Sequence, residues 1–474
     1  MRNRPASPTR RAVLQRAATA TILAGSAGGL LSACATGSGS GTASPAPKGT
    51  VSKDNPLGVP AGKPLEVVVF KGGYSDEYAK FDEGLYTQRY PGAKITHRGI
   101  QTVGQTMQPR LVAGDPPDVI DNTGAGRLDL VSLVNDKQLM NLAPLLDAPS
   151  LDDPSKTIRD ILLPGVVDTG TFDGTCYTLN YVYTVYGIWY SKPLFARHGW
   201  QYPQTWDEMM ALCAEIQKTG LAPWTYQGKY PEYMNDPLLS MAAKAGGMEL
   251  ITAIDNLEPN AWHQEGMTAA VEAIHEIAAR GYIMRGSDGL THTEAQTAWG
   301  QGKAAFIPCG SWLESEQKGV TPAGFDMVVS PTPRLSAADK MPMTGIEGGA
   351  TETFFVPAKA KNPYGAMEFL RIMLSRTATR KFAQLASALP SAVGAADGVA
   401  LSSGLSSVRD MVNAAGKDVF IFNFGGWYAP MATEAAGATG DLLTRRIKPA
   451  EWIKRMQKAA DKVARDSSVK KYKR

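Results

Sequence analysis

At 474 residues, with 43% apolar and 20% charged positions, the chain is too long for one ordinary core and has the composition of a soluble globular protein, so two lobes are expected. The formal net charge of +4 belongs to the N-terminus: five arginines and no acid precede Cys34, and without them the chain stands at −1. A nearly neutral body has no electrostatic footprint for nucleic acid, which excludes that class of partner.

The N-terminus carries Thr9-Arg10-Arg11-Ala-Val-Leu-Gln15, an uncharged run over 17–31, and then Leu31-Ser-Ala-Cys34. This reads as an export signal over residues 1–33, not as part of the fold. The paired arginines resemble the twin-arginine class, which carries folded proteins, although Arg pairs also occur in ordinary secretory signals. Leu-Ser-Ala-Cys resembles a lipobox in which Cys34 becomes the lipidated first residue; an ordinary cleavage site with an incidental cysteine is the alternative. Residues 34–62, rich in Gly, Ser, Thr, Ala and Pro, then read as a flexible tether holding the body on the order of 30 Å from its lipid.

Leu65-Glu-Val-Val-Val-Phe70 is a short apolar run suited to a central parallel strand, followed by the turn Lys71-Gly-Gly-Tyr74. A helix through Tyr78, Phe81 and Leu85, a second strand over 93–96, a helix bent or interrupted by Pro109, and a strand at Asp118-Val-Ile complete a βαβαβ unit. In such a sheet the ligand lies beyond the carboxyl ends of the strands, which points to 72–74 and 121–126 as rim loops.

The central stretch begins at Tyr177-Thr-Leu-Asn-Tyr-Val-Tyr-Thr-Val-Tyr-Gly-Ile-Trp-Tyr190, which alternates small polar and aromatic residues and reads as a strand crossing between two lobes. Thr205 with Glu208 three residues on makes a capping box, and Trp206, Met209, Met210, Cys213 and Ile216 recur at helical spacing, with Gly220 placed to close the helix. Further helices over 194–198, 236–245, 267–280 and 293–301 alternate with short runs at 221–226 and 304–308, giving a second α/β lobe. Gly345-Ile-Glu-Gly-Gly349 reads as a crossing back, Asn362-Pro363 as an N-cap and N1 pair, and 390–405 as a third crossing. The C-terminal helix from Pro449 turns Trp452, Met456 and Val463 inward.

Once Cys34 is lipidated, Cys176, Cys213 and Cys309 remain, with no Cys-x-x-Cys. Cys213 lies on the apolar face of its helix, so Cys176 with Cys309 is the one pairing to consider, against buried free thiols. No Gly-x-Ser-x-Gly and no phosphate-binding loop is present, and His97, His198, His263, His275 and His292 do not cluster. No metal, cofactor or catalytic residue is called for. A glycosidase carboxylate pair needs no sequence spacing, however, so a secreted lipoprotein acting on glycosides stays as the alternative.

Three blocks in order carry a resemblance: Ala113-Gly-Asp-Pro-Pro-Asp118-Val; then Tyr190-Ser-Lys192, Leu194-Phe195, Gly199 and Pro203-Gln-Thr-Trp-Asp-Glu208; then Gly302-Lys-Ala-Ala-Phe-Ile-Pro-Cys-Gly310-Ser-Trp312. Over residues 63 to 465 the chain resembles the carbohydrate-binding lipoproteins that feed ABC importers, the maltose-binding-protein-like solute-binding family, with Ser191 where the family usually has Asn. The resemblance implies an α/β periplasmic-binding-protein fold of two lobes with three hinge crossings and a ligand cleft between them. Lobe 1 would take 63–180 and 347–395, and lobe 2 would take 181–346 and 396–474. It also implies a monosaccharide or oligosaccharide ligand, ABC permease subunits as partners, and a monomer held by its lipid at the extracellular face of the cytoplasmic membrane. Among members, the block pattern and the Lys71-Gly-Gly-Tyr-Ser-Asp start most resemble the receptors for N-acetylglucosamine and chitobiose.

Sugars present CH-rich faces to aromatic rings and hydroxyls to fixed polar groups, so a sugar site combines both. Ser311 and Trp312 match the family block that sets an indole against the sugar; Trp427 and Tyr428 match an aromatic pair, Tyr233 a stacking tyrosine, and Tyr183 and Thr184 a position that bonds sugar from the crossing. Tyr74 and Asn122 are candidates by their rim loops, Asn122 standing where a Trp is often found. Glu347, among Gly345, Gly348 and Gly349, is an acid in a hinge and accepts hydroxyl or amide hydrogen bonds there. For each residue, packing, a salt bridge or solvent exposure is the alternative.

Overall fold

The computed structural model describes residues 48–124 and 126–474; the export signal and Cys34 lie outside the described residues. The expected tether ends earlier than 62. Leu57 and Val59 are buried in the first core, held by a turn in which Asn55 donates to Val59 O and accepts from Val59 N.

The β1 strand (Leu65–Phe70) runs parallel to β2 (Ile95–Ile100) on one side and β3 (Val119–Asp121) on the other, as the βαβαβ reading requires. Val67, Val68 and Val69 are all buried, because helices cover both faces of a parallel sheet. The helix Val103–Ala113 runs through Pro109 without breaking and ends on Gly114 in the left-handed region. After a small hairpin, β4 (Thr171–Phe172) and β5 (Thr175–Cys176), comes the 14-residue β6 (Thr178–Ser191). It pairs antiparallel with β8 (Ala304–Gly310) and β9 (Met327–Ser330), and β8 pairs in parallel with β7 (Ala222–Trp224). The returning β10 (Ile346–Phe355) lies antiparallel to both β6 and β3. The sheet order is therefore β2-β1-β3-β10-β6-β8-β7, with β11 (Leu389–Pro390) on β6 and β12 (Val419–Phe420) on β10. Two α/β halves thus share two long strands, and the cavity described below takes Tyr186 from β6 and Glu347 from β10, with the rest of its lining from 232–312 and 422–435.

Local chemistry sets the joints. Ser191 caps the helix Lys192–His198, and its hydroxyl also donates to Phe325 O at 2.7 Å, so serine serves where the family prefers Asn. The Thr205–Glu208 capping box and the Asn362-Pro363 start both form. Helices at Arg376–Ala386, Ser403–Ala415 and Ala429–Leu443 add to the elements expected from sequence. All three described cysteines are free and buried, so of the two readings the buried free thiols hold and Cys176 does not pair with Cys309. Cys176 donates to Thr178 O beside the hairpin, whereas Cys309 is held in β8 opposite Gly187. No helix of the described residues is long and apolar enough to cross a membrane.

Asp82, on the helix Glu77–Arg89, sits against the core with neither carboxylate oxygen bonded among the described residues. Burial, with Glu83 adding, pushes its pKa well above the usual carboxylate range. A raised folded pKa means stability that is present below the unfolded value of about 3.9 and lost as pH rises through the folded one. Asp82→Leu is therefore expected to stabilise the protein at pH 7 by about 1–3 kcal/mol, and by less at pH 4. Thermal melts of both proteins at the two pH values check this.

Candidate functional site

Trp312 is placed by a short chain of local constraints. β8 ends at Gly310, and a side-chain carbon there would sit 2.0 Å from the indole, so only glycine lets the ring fold back over the strand end. Ser311 N donates to Val185 O at 2.9 Å, and Ser311 Oγ accepts from Val185 N at 3.4 Å. This fastens the turn to β6 and holds the indole in place. Two tyrosines then meet Trp312 edge-on, Tyr186 at 5.6 Å and Tyr233 at 6.1 Å between centroids.

These rings wall a cavity of about 350 Å³, completed by Asp236, Glu347, Phe422 and Phe424 among others. Its charged groups are the acids Glu232, Asp236 and Glu347, with Asn235 beside them, and among the described residues no lysine or arginine lines it. Glu347 is buried on β10 and accepts from Ser240 Oγ at 3.4 Å; burial pushes its pKa up to about 8. Burial also raises Asp236 well above the usual range, with Glu347 and Glu232 adding to the effect. Protonated carboxyls both donate and accept hydrogen bonds. An aromatic cavity whose acids burial pushes towards the neutral form suits a neutral polyhydroxylated ligand and disfavours an anion.

The Glu347 shift has a sign that can be tested. With a folded pKa near 8 and an unfolded value of about 4.3, its contribution is full below the lower value and is lost as pH rises through the upper one. Glu347→Gln is expected to flatten the fall in unliganded melting temperature between pH 5 and pH 9, measured by calorimetry. An unchanged slope would mean that Glu347 is ionised in the fold.

Of the ten sequence candidates, Tyr233, Trp312 and Glu347 line this cavity, and the other seven do not. Ser311 lies behind Trp312, as described. Asn122 is buried and closes its own loop, donating to Leu128 O at 3.0 Å and accepting from Leu128 N at 2.8 Å. Tyr183 is buried in the sheet between Ala350 and Leu389. Thr184 Oγ1 is bonded to Thr351 Oγ1 at 2.6 Å. Tyr74 is buried with its ring on Phe382, and its hydroxyl has no partner among the described residues. Trp427 is half-buried against Tyr472, and Tyr428 is buried beneath the same residue.

Sequence reasoning missed Tyr186, Asp236, Phe422 and Phe424. Tyr186 stands in the crossing from which Tyr183 was chosen, three residues on and so on the opposite face of the strand. Phe422 and Phe424 precede the glycine pair after which Trp427 and Tyr428 were chosen. Among the described residues no group of three or more His, Cys, Asp or Glu is placed to hold a metal ion.

Comparison with known proteins follows the same lines. The family described as bacterial extracellular solute-binding protein matches residues 70–380. The chain is 34% identical over 430 residues to the diacetylchitobiose binding protein NgcE of Streptomyces coelicolor, covering 90% of each chain. It is 22% identical to the multiple sugar-binding protein of Streptococcus mutans, over 63% of this chain and 68% of that one. Among solved structures, a chitin oligosaccharide binding protein superposes with a TM-score of 0.69 at 17% identity, over 84% of this chain and 98% of that one. RafE in complex with raffinose gives 0.66 at 18% identity, over 84% and 99%. At such identities the structures share the fold, which is the two-lobed arrangement of the sheet above.

Proposed function

We propose, because the chain belongs to the bacterial extracellular solute-binding protein family, that it is the receptor of a carbohydrate ABC importer, capturing N-acetylglucosamine or chitobiose and delivering it to a membrane permease. The family is one of binding proteins, so the chain is a solute-binding protein and not an enzyme, and the glycoside-active alternative falls away. The sugar class is supported by the similarity to the diacetylchitobiose binding protein and, most directly, by the cavity that Trp312, edge-on to Tyr186 and Tyr233, shares with the buried acids Asp236 and Glu347.

In this reading Trp312 and Tyr233 stack on pyranose faces, while Glu347 and Asp236 exchange hydrogen bonds with hydroxyl or acetamido groups. The lobes divide at 180/181, 346/347 and 395/396, and β6 and β10 serve as hinge strands. A ligand gripped from both sides favours the closed form by its differential affinity for that form. The twin-arginine signal, the lipid on Cys34, the monomeric state and the place at the extracellular face of the cytoplasmic membrane belong to the same reading.

Thermal unfolding with added sugar tests it. At 100 times its Kd a ligand stabilises the native state by about 2.7 kcal/mol, so chitobiose is expected to raise the melting temperature visibly. A shift by other sugars but not by the acetamido ones would remove the substrate and keep the receptor.

A further inference from the structure

The C-terminal segment is unusual in what it joins. Beyond the helix Pro449–Arg465, residues 466–474 touch three separate places. Lys470 Nζ pairs with Asp173 Oδ2 at 2.5 Å, at the tip of the β4–β5 hairpin. The ring of Tyr472 lies between Phe172 of that hairpin, edge-on at 6.5 Å, and Trp427 at 5.6 Å, while its backbone N donates to the Tyr428 hydroxyl at 3.0 Å. Arg474 pairs with the buried Asp255 at 3.3 Å and donates its N to Asn256 Oδ1 at 2.9 Å. Asp255 Oδ1 in turn accepts from Asn423 N at 2.8 Å and Phe424 N at 2.9 Å. That backbone carries the two phenylalanines of the cavity wall.

The geometry points to residues 466–474 as a strap between the lobes: Arg474 and Asp255 position the cavity's phenylalanine wall, and Lys470 and Tyr472 tie that wall to the β4–β5 hairpin of the other half. The two halves also meet where Ser315 Oγ donates to Gly73 O at 2.8 Å. The strap therefore engages in an arrangement in which the halves already touch, and its effect is to slow ligand release. A tail that only covered its own half would leave Asp173 and Phe172 alone. The division of the hairpin and the wall between two lobes, and the consequence for release, rest on the receptor reading above.

The test uses the full chain and has a ligand-free arm, so that the two readings fail separately. Lys470→Asp, Asp173→Lys, their double exchange, and Tyr472→Ser are compared with the parent. By amide hydrogen exchange without sugar, Tyr472→Ser and Lys470→Asp are expected to speed exchange about tenfold both at 171–177 and at 422–428, since local opening follows the contacts that hold a segment. The double exchange is expected to restore the parent rates. In stopped-flow fluorescence with chitobiose, each single variant releases sugar about five- to tenfold faster, as interface changes act mainly on dissociation. Hairpin exchange that stays at the parent rate would overturn the strap, and so would slower release. Absence of sugar binding by the parent would remove the receptor reading while the exchange arm still decides the strap.

Discussion

Trp312→Ala is expected to weaken sugar binding by about 100-fold, which is about 2.7 kcal/mol, while leaving the fold in place. In the proposed site the indole is a central aromatic anchor, of the kind whose truncation costs about 2 kcal/mol or more. Gly310 gives it room, Ser311 fixes its turn, and Tyr186 and Tyr233 hold its edges. Its removal leaves those tyrosines beside an open cavity, and the main core beneath β8 is untouched. Trp312→Phe retains a stacking face and is expected to cost about tenfold. Titration calorimetry gives both numbers, and circular dichroism confirms the fold. Parent-like affinity in Trp312→Ala would move the sugar out of this cavity.

The second large effect concerns stability. Glu368 is fully buried and accepts from Arg371 Nε at 2.8 Å and Nη2 at 2.9 Å; Arg89 Nε reaches it at 3.1 Å. Arg371 also donates to Pro149 O at 2.7 Å. Glu368→Ala strands a buried guanidinium and is expected to cost about 3–5 kcal/mol, whereas replacing both partners with methionine is expected to come close to neutral. Denaturant unfolding of the two variants distinguishes these outcomes. A single variant as stable as the double would mean that Arg371 finds water or another partner.

The joints of this fold were legible because each is written in a few adjacent residues. Thr205 with Glu208, Asn362 with Pro363, and the parallel valines of β1 act locally, and the structure forms all three as read. The three blocks that carry the family resemblance are equally local, and the last of them holds Trp312; Tyr233 comes from a matching family position and Glu347 from its glycine-rich hinge. The rest of the site depends on side-chain direction and on distant partners. Asn122 sits on the expected rim, yet both ends of its amide close the loop to Leu128. Tyr183 and Tyr186 share a strand, and a shift of an odd number of positions turns a side chain from one face to the other. Trp427 and Tyr428 are candidates because they match an aromatic pair of the family, and nothing in the sequence says that Tyr472, more than forty residues later, folds back onto them. The sequence leaves open whether Cys176 and Cys309 pair for a similar reason, since pairing depends on a distance that only the fold sets.

The central claim is that the cavity under Trp312 receives an acetamido sugar and returns it unchanged. Calorimetric titration of the chain from residue 48 onward, with N-acetylglucosamine, chitobiose, cellobiose and maltose, tests it most directly when the recovered sugar is then analysed. Saturable binding of the acetamido sugars, lost in Trp312→Ala, with chitobiose recovered intact, is the predicted result. Silence from all four sugars, or recovery of monosaccharide from chitobiose, would contradict it.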